Sequence, residues 1–110
     1  MISMISVAEL HTVASGDQGV VIDVRNADEF TSGHVPGARL IPLPTVPLRT
    51  SDFDHGDVHY IICESGARSF QASQYLTQQG FDVRNVEGGM SAWRAQGHPL
   101  ETGMTSNLLT

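Results

Sequence analysis

The sequence predicts a single α/β domain, with a mainly parallel central sheet of about five strands and helices on both faces. Three observations predict it. Short β-branched apolar runs recur along the chain. Segments carrying helix start and stop signals separate them. A chain of 110 residues suits one core.

The elements follow in order. Ser6 and Glu9 fit a capping box, so a helix runs from Val7 to Ala14 and closes at Gly16. Val20 to Val24 is a β-branched run, as in a strand buried on both faces. Asn26 and Glu29 repeat the cap pattern and open a helix over Ala27 to Ser32. Gly33 to Ala38 is a turn-rich loop, and Arg39 to Ile41 a short strand. Pro42, Pro44 and Pro47 then argue against continuous regular structure. Asp52, Asp54 and Asp57 mark a solvated loop. Val58 to Ile62 is the next strand and delivers Cys63 at its end. A helix follows from Arg68 to Gln79, stopped by Gly80. Phe81 to Val86 alternates as a strand, and a last helix carries Met90 and Trp93 into the core. The domain is expected to span residues 1–102, with 103–110 a flexible tail.

Composition excludes several function classes. Twelve acidic residues face six basic ones, all arginine, for a formal charge of −6. Nucleic acid and anionic membrane are therefore not expected as partners, because both need a basic face. One cysteine makes neither an internal disulfide nor a cage of thiolates around zinc. Met1 to Ser6 lacks the pattern of a targeting segment, and no window approaches the ~20 apolar residues of a membrane span. The expected location is the cytoplasm. Met1 and Met4 open two identical triplets, and either could be the start.

The chemistry concentrates in Cys63-Glu64-Ser65-Gly66-Ala67-Arg68-Ser69. A thiol at a strand end precedes a small-residue loop and a helix start. In parallel sheets ligands gather outside the carboxyl ends of the strands. Backbone amides of such a loop can converge on an anion, and the helix adds its positive end. Both favour thiolate over thiol. Gly66 allows close backbone approach. Arg68 is placed to orient or neutralise an anionic substrate. Glu64 would oppose the thiolate if it pointed inward, so it is expected to point to solvent. The plainer alternative, a buried structural cysteine, is disfavoured by this context.

Four segments, in order, resemble the rhodanese sulfurtransferases. They are Val21-Ile22-Asp23-Val24-Arg25 with Glu29-Phe30, Gly33 to Ala38, Ile61-Ile62-Cys63 with the loop to Ser69, and Val86-Glu87-Gly88-Gly89-Met90 with Ala92-Trp93. The resemblance covers residues 5–100 and implies a three-layer rhodanese-like fold. It also implies that Cys63 is the catalytic nucleophile and that Glu64, Ser65, Gly66, Ala67, Arg68 and Ser69 bind the substrate. The implied donor is thiosulfate or a persulfide, and the implied acceptor a thiol or cyanide. No metal or cofactor is implied, and a partner protein would act in trans. The alternatives are a persulfide carrier without turnover, or a partner-docking module. Phosphatase or arsenate reductase chemistry goes with a loop one residue longer than the six from Cys63 to Arg68.

Other residues carry plainer readings. Asp23 and Arg25 read as a structural ion pair, and His34 as a structural loop histidine. His55 and His59 lie in a loop running into a strand, which does not favour a metal site. Arg39, Arg49, Arg84 and Arg94 read as solvated surface.

Overall fold

The computed structural model describes residues 1–15 and 19–104. The expected helix stop at Gly16 and the tail residues 105–110 lie outside them. The chain forms β1 (Met4–Ile5), α1 (Val7–Ser15), β2 (Val20–Asp23), α2 (Ala27–Ser32), β3 (Arg39–Leu40), β4 (Val58–Ile62), α3 (Ala67–Gln78), β5 (Asp82–Val86) and α4 (Gly89–Ala95). The five strands make one parallel sheet in the order β1-β5-β4-β2-β3. The α/β architecture expected from the sequence is present.

Two apolar layers sandwich the sheet. Leu10 of α1, Phe30 of α2, and Met90 and Trp93 of α4 pack on one face, against Val21, Ile62 and Val86. Ala72 and Leu76 of α3, with Val46 and Phe53, pack on the other, against Ile22, Ile61 and Val83. The chain steps from β2 to β3 across the first face, and from β4 to β5 across the second. Opposite directions on opposite faces are what a uniform crossover hand requires. The order reverses between β2 and β4, which makes the crevice beyond their carboxyl ends the switch point of the sheet. Cys63 leaves β4 there.

Local chemistry explains most element starts. The Ser6 backbone N–H donates to Glu9, and the Glu9 N–H to the Ser6 hydroxyl, both at 3.1 Å. This reciprocal box holds the Glu9 carboxyl below its ordinary range, chiefly through the Ser6 amide. Two expectations are corrected, and one strand is added. β1, for which the sequence carries no local signal, is two residues long and exists because Ser3 and Ile5 carbonyls accept the Asn85 and Glu87 amides at the edge of β5. The proline segment is regular, a 3-10 helix over Leu43–Leu48. Pro44 lies in its first turn, where a missing N–H costs no bond. The acidic loop likewise holds a short 3-10 turn, Thr50–Asp52, and buries Phe53.

Candidate functional site

The alternation of β4 places Ile61 and Cys63 on the face covered by α3. Cys63 is 1% exposed. Beyond it the chain turns through Glu64, Ser65 and Gly66 into α3. Gly66 has φ +107°, a left-handed conformation that side-chain-bearing residues rarely adopt. The turn aims two amides at the sulfur, Gly66 N at 3.1 Å and Ser69 N at 3.3 Å. The thiol donates to Ser69 Oγ at 3.3 Å, and that hydroxyl donates to the Gly66 carbonyl at 3.1 Å. The sulfur therefore sits among donors suited to a negative charge.

The loop is gripped from behind by the start of α4. Met90 N donates to the Cys63 carbonyl at 2.8 Å, and Ser91 N to the Glu64 carbonyl at 3.0 Å. Gly89 makes this approach possible. A Cβ there would lie 2.3 Å from the Cys63 carbonyl oxygen, and the backbone has φ +56°. The Gly88-Gly89 pair was visible in the sequence, but its contact with the loop was not.

Around the loop, arginines and carboxylates are matched. Arg25 grips Asp23 through Nε and one terminal nitrogen, the latter at 2.8 Å, and also donates to the Gly33 carbonyl. Both side chains are almost fully buried, which fits the structural reading of this pair. Arg68 forms a two-pronged pair with Glu29, both contacts at 2.9 Å. That fork, with burial opposing it, lowers the Glu29 carboxyl to about 2; the Asn26 amide adds to the lowering. The same bond raises Arg68.

Two expectations change here. Glu64 does not simply face solvent; its carboxylate lies 3.5 Å from the remaining terminal nitrogen of Arg25 and also pairs with Arg94. The strand register explains the first contact: Asp23 stands opposite Ile62, so Arg25 and Glu64 leave adjacent strand ends together. Arg94 is accordingly part of the loop surroundings rather than isolated surface. Arg49 and Arg84 pair with their near neighbours Asp52 and Asp82. Of the residues singled out in the loop, Gly66 and Ser69 contact the sulfur, while Arg68 and Glu64 answer other charges.

The three histidines singled out in the sequence have structural partners. His34 is buried, stacks on Phe30 at 3.7 Å, and bonds the Phe30 carbonyl and Glu101. The His59 ring nitrogens face the Asp54 amide and the Asp82 carbonyl, and His55 stacks on Phe81. Among the described residues no three His, Cys, Asp or Glu side chains gather as metal ligands. None of the described helices is long and apolar enough to cross a membrane.

Residues 6–96 match the rhodanese-like domain family. A sulfurtransferase from Allochromatium vinosum is 37% identical over 89 residues, covering 80% of this chain and 83% of that protein. The thiosulfate sulfurtransferase GlpE of Pseudomonas putida is 40% identical over 86 residues, covering 76% of each. A rhodanese-like domain protein from Staphylococcus aureus superimposes with a TM-score of 0.82 at 37% identity, over 94% of this chain and 100% of that one. A rhodanese-related protein from Thermoplasma volcanium gives a TM-score of 0.87 at 27% identity, over 92% and 99%.

Proposed function

The chain belongs to the rhodanese-like domain family, and from that premise we propose that it is a sulfurtransferase whose Cys63 carries sulfane sulfur as a persulfide. The observation that carries the reading is the pair of loop amides, Gly66 and Ser69, directed at a sulfur at the switch point of the sheet.

The cycle has two displacements. The Cys63 thiolate attacks the outer sulfur of the donor. A bond forms between the two sulfurs, the donor's own sulfur–sulfur bond breaks, and its electron pair leaves with sulfite from thiosulfate, or with a thiolate from a persulfide. The acceptor, a thiol or cyanide, then attacks the outer sulfur of the Cys63 persulfide. The electron pair returns to Cys63, and the acceptor leaves as a persulfide or as thiocyanate. The amides of residues 64–69 hold the negative charge of each sulfur species, with Gly66 and Ser69 nearest the thiol. The matched charges around the loop favour a thiol-borne persulfide over free thiosulfate, because each neighbouring guanidinium already faces a carboxylate.

The test is thiosulfate:cyanide transfer and intact-mass measurement, with Cys63→Ala alongside. Thiocyanate production, and one added sulfur per chain after exposure to donor, are expected in the wild type and absent in the variant. Mass gain without turnover would favour a carrier. No gain from thiosulfate or from an alkyl persulfide would refute the reading.

A further inference from the structure

Asn85 breaks the pattern of its strand. Val83 and Asn85, in line with Phe81 just before the strand, share the face of β5 that packs under α3, and an apolar residue would suit the third position. Asn85 is instead an amide, 2% exposed, whose Oδ1 has no hydrogen-bond partner among the described residues. A buried acceptor left unpaired costs stability, and its retention calls for a reason.

The reason lies at the other end of the amide. Asn85 Nδ2 donates to the Gly66 carbonyl at 3.3 Å. That carbonyl also accepts Phe70 N at 3.0 Å and the Ser69 hydroxyl at 3.1 Å. The Ser69 proton can serve only one acceptor at a time. With Cys63 a thiol, S–H donates to Ser69 Oγ, and the hydroxyl donates to Gly66. When the thiol proton leaves to water, the Ser69 hydroxyl can rotate and donate to the thiolate. Gly66 then keeps Phe70 N and Asn85 Nδ2, and stays oriented with its own N–H on the sulfur. We infer that Asn85 is a positioning residue that supports the ionised state of Cys63, by holding the Gly66 carbonyl when Ser69 turns away. The inference rests on Cys63 being the working nucleophile.

The experiment compares wild type with Asn85→Leu, which fills similar space without a donor, and follows iodoacetamide alkylation of Cys63 against pH. The charges near the sulfur stay in place in the variant: Arg68 on α3, Glu29 on α2, Asp23 and Arg25 at the end of β2, and Glu64 with Arg94. Expected are an alkylation midpoint at least about half a pH unit higher and persulfide loading at neutral pH slowed about threefold, the rate equivalent of that shift. The melting temperature should be equal or higher, because the orphaned acceptor is gone. A merely structural asparagine would give the reverse: a lower melting temperature with an unchanged profile. Asn85→Ala serves if leucine overfills the site. Ser69→Ala combined with either should fall short of the sum of the single effects. A profile coincident with wild type in both variants overturns the inference. Alkylation needs no sulfur donor, so a wild type that alkylates but never loads sulfur would refute the proposed activity separately.

Discussion

Glu64 stands next to Cys63, and what matters is the company it keeps. Its carboxylate occupies one terminal nitrogen of Arg25 and pairs with Arg94. Glu64→Gln would free the Arg94 guanidinium and one terminal nitrogen of Arg25, whose other nitrogens stay on Asp23 and Gly33, toward an incoming dianion. We expect thiosulfate kcat/KM to rise about fivefold at low ionic strength, mostly through KM, since an exposed pair is worth ~1 kcal/mol. High salt should shrink the gain. Steady-state kinetics with thiosulfate would show it, and an unchanged or lower kcat/KM would mean that Glu64 leaves donor choice alone. Gly89 gives a second residue-scale prediction. Alanine there meets backbone oxygens of Cys63 and Glu64 at 2.3 and 2.7 Å, and neither is a flexible side-chain end. Gly89→Ala should lose at least about 2 kcal/mol of stability in urea denaturation and disturb Cys63 reactivity with it.

Between elements, Glu29 does two jobs. It accepts the Asn26 amide at the start of α2, and its fork to Arg68 ties α2 to the first turn of α3. Its folded pKa near 2 lies below the ordinary 4.5. The stabilisation is therefore complete above pH 4.5 and disappears as pH falls through about 2. The pair is about one-third exposed, so water screening limits it to ~1 kcal/mol. Urea unfolding of Glu29→Gln at neutral pH and near pH 2 should show a deficit that closes in acid. This pair also shows what the sequence could tell. The Asn26–Glu29 spacing announced a helix cap, and α2 spans the expected residues. The β-branched run of β4 and the loop after it were equally plain, because local patterning determines them. The Arg68–Glu29 fork joins residues 39 apart, and Glu64–Arg94 residues 30 apart. Such partners depend on tertiary placement, which no local pattern encodes. β1 escaped notice for the same reason, since a two-residue strand exists only through its neighbour β5.

At the scale of the whole molecule, the C-terminal segment acts as a strap. His34 and Glu101 exchange backbone bonds at 2.9 Å, Gly103 N donates to the Thr31 carbonyl, and Trp93 Nε1 donates to the Pro99 carbonyl at 2.7 Å. The strap lies beyond the family match, which ends at residue 96. A chain shortened after His98 should lose about 2–4 kcal/mol, at roughly 1 kcal/mol per bond. Its Trp93 emission should shift to the red; an unshifted spectrum and unchanged urea midpoint would show the strap to be passive.

Cys63 is the sole thiol of the chain. Peroxide that reaches it would leave a sulfenic acid with no resolving cysteine in the same molecule to condense with. Rescue must come from a free thiol in solution or from another protein, and without one oxidation proceeds to the sulfinic acid, which ordinary thiols do not reverse. The domain thus depends on its surroundings for redox repair, and preparations kept without a reductant should accumulate a fraction carrying two added oxygen atoms on that one side chain, readable by intact mass.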